Sequence, residues 1–99
     1  MPAVARQNDS FSTGHGCTVT STITGPSTDV FVNGRGVERK GDPSVQHTIK
    51  SGRSCVPHTV NISSGSETVY VNGKPIARIG DKIDLGSITS GSGNVFAGG

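Results

Sequence analysis

Two thirteen-residue stretches carry the same order of apolar and polar positions: Val30-Phe31-Val32-Asn33-Gly34-Arg35-Gly36-Val37-Glu38-Arg39-Lys40-Gly41-Asp42 and Val69-Tyr70-Val71-Asn72-Gly73-Lys74-Pro75-Ile76-Ala77-Arg78-Ile79-Gly80-Asp81. In each, a short apolar run, an Asn-Gly pair, a second run and a turn closing on Gly-Asp follow one another. Asn-Gly between alternating apolar residues is the strongest local hairpin signal, because a type I′ turn needs positive φ at both central residues. The pattern therefore predicts β-hairpins over about 27–42 and 66–81. No segment sustains a 3.6-residue period, so almost no helix is expected.

The two ends of the chain carry half-copies. Ala3-Val4-Ala5-Arg6-Gln7-Asn8-Asp9 matches the second strand and turn, with Asn8 in the place of Gly41 and Gly80; Gly91 to Gly99 matches the first strand, Gly65 to Gly73. One hairpin has been cut at its turn and its halves set at opposite ends, which predicts three equivalent hairpins in a ring and neighbouring termini. Between them lie a polar loop from Ser10 to Gly25, with a strand expected within Thr18 to Thr24, a longer loop from Pro43 to Ser64, and a short one from Lys82 to Ser90.

Phe31, Tyr70 and Phe96 occupy matching positions, and their neighbours Val30 and Val32, Val69 and Val71, Val95 and Ala97 point the other way. With both faces apolar, one set is expected to meet the core, while the other either packs internally as well or forms an interface awaiting a partner; Phe31, Tyr70 and Phe96 are the expected contacts of that interface. Arg6 and Asp9, Arg39 and Asp42, and Arg78 and Asp81 share a three-residue spacing around a Gly or Asn that tolerates the left-handed region, so each Arg is expected to fold back on its Asp.

Composition sharpens this picture. Only 30% of residues are hydrophobic and 4% aromatic, a lean supply for the core of 99 residues, so a metal or a partner is expected to add stability. The net charge of +2 is spread among interspersed signs, against a nucleic-acid surface; Lys50 and Arg53 form the only local excess. No run of eighteen apolar residues and no leader pattern occurs, so neither a transmembrane span nor a secretory signal is expected.

All three histidines and both cysteines fall in the loops. Imidazole and thiolate are the usual ligands of tetrahedral Zn²⁺, and Cys55-x-x-His58 has a chelating spacing. His15 and His47 leave equivalent corners of the ring, after Asp9 and Asp42, and the third corner offers Asp84. The expected metal set is His15, His47, Cys55 and His58, with Cys17 as substitute or bystander; a Cys17–Cys55 disulfide is the alternative. Four protein donors would close the shell and leave no place for an activated water. No phosphate loop or His-Glu-x-x-His occurs, and no enzyme is expected.

Pro75-Ile76-Ala77-Arg78 with Ile79-Gly80-Asp81, its copies at Ala3 to Asp9 and Gly36 to Asp42, and the strands between them resemble the PAAR-repeat family over essentially the whole chain. The middle copy departs in carrying Glu38 where Ala stands in the others. The resemblance implies one domain over residues 1–99: an all-β small cone of three pseudo-threefold-related hairpins with metal-binding loops at its apex. It implies zinc on His15, His47, Cys55 and His58, with Asp84 where some relatives have another Cys. It also implies a structural piercing tip, capping the trimeric β-helical spike of a contractile tail and touching a target outer membrane transiently. A virion or related particle is the expected place; a type VI secretion tip or a zinc-binding adaptor recruiting effectors is the alternative.

Overall fold

The computed structural model describes all 99 residues. The chain is all β. Its strands form five antiparallel pairs: β1 (Ser10–Ser12) with β2 (Thr20–Thr22), β3 (Phe31–Val32) with β4 (Arg35–Gly36), β5 (His47–Ser51) with β6 (Ser54–His58), β7 (Tyr70–Val71) with β8 (Lys74–Pro75), and β9 (Lys82–Ile83) with β10 (Gly86–Ser87). No helix is long and apolar enough to cross a membrane. The body measures 41 × 23 × 23 Å, and its two equal short axes suit an object built around a threefold axis.

The expected hairpins form at their Asn-Gly turns. Asn33 and Gly34 have φ of 56° and 75°, and Asn72 and Gly73 have 55° and 76°, the positive pair that a type I′ turn requires. Phe31 stands opposite Gly36 and Tyr70 opposite Pro75; Phe96 likewise bridges Ala3, and the Ala97 N–H donates to the Pro2 carbonyl at 3.0 Å. The cut hairpin is thus closed by the two ends of the chain.

Around the axis the backbone makes a closed circuit. The Ala5 N–H donates to the Ala77 carbonyl (2.9 Å), Ala77 to Glu38 (3.0 Å), and Glu38 to Ala5 (3.1 Å). Each of the three equivalent turns is then sealed by its Arg and Asp. Arg6, Arg39 and Arg78 each direct Nε and Nη2 to the two oxygens of Asp9, Asp42 and Asp81, at 2.7–3.3 Å, and each also donates its backbone N–H to the same carboxylate. The three Asp residues are buried. Burial alone would raise the Asp9 carboxyl, but the Arg6 guanidinium and N–H, with the Ser90 hydroxyl, outweigh it and hold it below the ordinary range. Ion pairs this enclosed and this fully hydrogen-bonded act as corner pieces, unlike exposed pairs.

Two apolar clusters flank the circuit. Val4, Val37, Val71, Ile76 and Ala97 lie on one side; Ala5, Phe11, Ile23, Ile62, Ala77, Ile83 and Ile88 form the other. Ile23, Ile62 and Ile88 are threefold equivalents, each accepting a hydrogen bond from the left-handed residue of its corner, Asn8, Gly41 or Gly80. Val71 and Ala97 are buried, while Phe31, Tyr70 and Phe96 point outward.

β1 and two whole pairs fall where the sequence predicts loops. β5–β6 is the longest hairpin, and Pro57 within it, facing Thr48, masks the strand in sequence because Pro is confined to sheet edges; here β6 has no strand on its outer side, so nothing needs the missing N–H. β9–β10 turns on Asp84 and Leu85, with Asp84 at φ 56°.

The three copies also share volume in a complementary way. A Cβ on Gly36 would stand 2.6 Å from the Ser27 carbonyl oxygen and 2.8 Å from Pro26 Cγ; in the second copy the bulk is reversed, with Pro75 facing Gly65. Gly36→Ala is expected to cost about 1–3 kcal/mol by overpacking, read by chemical denaturation, with part recovered by Pro26→Gly.

Candidate metal centre

Four side chains from three separate strand pairs converge. His15 lies in the loop between β1 and β2, and its position is set by Thr13, whose hydroxyl donates to the Thr18 carbonyl at 2.6 Å and so folds the loop back. His47 opens β5 and His58 closes β6, directly opposite each other in register. Asp84 projects from the β9–β10 turn. Their donor atoms all lie within 4.8 Å of one another.

The Asp84 carboxylate stands 2.6 Å from His15 Nε2, 3.1 Å from His47 Nε2 and 3.3 Å from His58 Nε2. The side chains of His15, His47 and Asp84 are 6%, 2% and 4% exposed, and that of His58 is 24% exposed. The imidazoles crowd with centroids 5.0–5.6 Å apart, and Phe11 packs its edge on His47 at 5.8 Å, an apolar floor beneath the site.

The hydrogen bonds reveal what the cluster is made for. His15 Nδ1 lies 3.0 Å from the Gly16 carbonyl and His47 Nδ1 3.0 Å from the Val45 carbonyl, so each Nδ1 carries the proton. In a neutral ring Nε2 is then a bare lone pair, and here both face a carboxylate that also can only accept. Such an arrangement is satisfied by a cation at the centre, either a metal ion or added protons. Carbonyl-anchored imidazoles are the usual support of a metal-ligating histidine. Three imidazoles and one carboxylate, their donor atoms all within 4.8 Å of one another, are a donor set that fits a divalent ion.

Two electrostatic consequences follow. The bond to the Gly16 carbonyl, and after it Asp84, raises His15 against the opposing effect of burial. Burial would lift Asp84, but the bonds from His47, His15 and His58 together hold it below the ordinary carboxylate range.

The structure brings together His15, His47 and His58 of the expected set, and corrects the fourth member. Cys55 is bonded to Cys17 in a disulfide and Asp84 stands in the cluster in its place. The reason is alternation: Cys55 and His58 lie three apart on one extended strand, hence on opposite faces, whereas the chelating spacing presumes a turn. Asp84 is the third-corner counterpart of His15 and His47, and that threefold spacing is the signal in the sequence for its place in the cluster.

His15, His47, His58 and Asp84 all lie within a stretch that matches a known family. The model of the PAAR motif matches residues 11–87. No curated protein matches the chain. The family is one of spike-tip proteins of contractile injection systems, structural and associated with the spike trimer. The chain belongs to the PAAR-motif family.

Proposed function

We propose that this chain is the structural piercing tip that caps the trimeric β-helical central spike of a contractile tail, one copy per trimer, and that zinc occupies its metal centre. Residues 1–99 act as a single PAAR-like domain, placed at the tail-spike tip of a phage or related particle, where it sharpens the spike and meets the target outer membrane only during penetration. The observation that carries this reading is the outward aromatic triplet. Phe31, Tyr70 and Phe96 are 59%, 56% and 50% exposed at threefold-equivalent positions, with Val30, Val69 and Val95 partly exposed beside them. In a chain so poor in apolar residues, this much uncovered apolar surface marks an interaction site. One chain offering the same contact three times suits a partner made of three identical chains, and covering the end of a β-helix shields its open strand edges.

The metal centre supports the same role. His15, His47, His58 and Asp84 would hold zinc in a closed shell, and the ion supplies a rigid cross-link between three loops rather than an activated water. Its value lies in resisting deformation at the point.

Capture by immobilised trimeric spike protein, beside a panel of effectors, tests the reading. Wild type should bind the spike at one copy per trimer. Phe31→Ser/Tyr70→Ser/Phe96→Ser should lose at least about 100-fold in affinity with its melting temperature kept, since interface aromatics each contribute about 2 kcal/mol and these three lie outside the core. Capture by effectors and not by the spike would replace the tip with the adaptor reading.

A further inference from the structure

The metal donors sit on elements that little else holds together. His15 is in the β1–β2 loop, while His47 and His58 form the root of the β5–β6 hairpin, whose residues Lys50 to Pro57 are all exposed. A two-stranded hairpin without a buried face is marginal in water. Its attachment to the His15 loop consists of the bridge between Cys17 and Ile49, three hydrogen bonds between Thr18 and Thr48 at 2.8–3.1 Å, and the Cys17–Cys55 disulfide. Cys17 lies two residues beyond His15, and Cys55 three before His58, so the covalent link joins the two stretches that carry all three imidazoles.

We propose that the Cys17–Cys55 bond is a positioning element of the metal centre. It holds His15 against His47 and His58, so the oxidised chain binds the ion more tightly than a chain without the link. By reciprocity the bound ion protects the disulfide from reduction by the same factor. Reduction in this scheme is ordinary exchange: two glutathione thiols deliver two electrons and two protons, leaving Cys17 and Cys55 as thiols and glutathione as its disulfide. The inference rests on the metal reading above, and the experiment separates the two.

Zinc affinity is measured by competition with a chromophoric chelator for the oxidised chain, the reduced chain and Cys17→Ser/Cys55→Ser. The oxidised chain should bind about 10- to 100-fold more tightly than the double variant, the range that supporting contacts usually command. The fraction reduced in a glutathione buffer, read by alkylation of the wild-type chain, should fall when zinc is present; this measurement needs no variant to fold. Equal affinity for oxidised chain and double variant, with no protection by zinc, overturns the inference and leaves the metal centre standing. Tighter zinc binding by the reduced chain, with thiolate charge-transfer absorption on cobalt substitution, also overturns it, since Cys55 would then be a ligand that the disulfide withholds. Absence of zinc binding by every form overturns both readings.

Discussion

His58→Ala should abolish the bound zinc and lower the melting temperature by more than about 15 °C, to the value that a strong chelator produces in the wild-type chain. The size follows from coupling between metal and fold. Zinc held by four protein donors contributes on the order of 10 kcal/mol, comparable to the whole stability of a domain this small, and 1 kcal/mol corresponds to about 4–8 °C at this length. His58 is the informative ligand because its side chain is 24% exposed, the most open of the four, so truncation alone leaves little cavity. Asp84→Asn supplies a second check. With a metal bound, it should resemble His58→Ala in zinc content and stability, because it removes one of the four donors. An unchanged melting temperature in both variants, and in chelated wild type, would remove zinc from the account.

Much of the architecture is written locally, because it depends on turns and turns depend on few residues. Asn33-Gly34 and Asn72-Gly73 identify their hairpins through positive φ, and Asn8, at φ 71°, takes the left-handed corner that Gly41 and Gly80 take elsewhere. Ring closure was legible because the half-copies align residue by residue. What was obscured depends on facing. The β5–β6 hairpin is hidden by Pro57, and once it is extended, Cys55 turns away from His58 and towards Cys17. A motif spacing states which residues are near in sequence; only the local conformation decides which share a face. Asp84 fits the threefold logic of the corners, although the chemistry of its carboxylate gave it less weight than a cysteine.

Glu38 is the one place where the repeat is broken at its centre. Its counterparts on the axis are Ala5 and Ala77; its side chain is wholly buried and neither carboxyl oxygen has a hydrogen-bond partner. Burial, reinforced by the charges of Asp42 and Asp9 and only partly opposed by Arg39, pushes it up to about 9 from an ordinary 4.5. The folded chain therefore holds this proton where the unfolded chain releases it. Stability falls as pH rises from about 4.5 to about 9: Glu38 costs little below that window, about 3 kcal/mol by pH 7, and its full penalty above it. Glu38→Met keeps the volume and removes the titration, so it should melt about 10–20 °C above wild type at pH 7 and show a correspondingly flatter difference across the window. Glu38→Ala should be equally flat but less stable than Glu38→Met, because three alanines around the axis leave the space now filled by the Glu38 stem empty. Comparing variants at each pH cancels the histidines and the corner carboxylates, which all forms share. If wild type and Glu38→Met keep a constant difference from pH 5 to 9, then Glu38 does not titrate in this window, and the axis holds its charge by some contact other than those described.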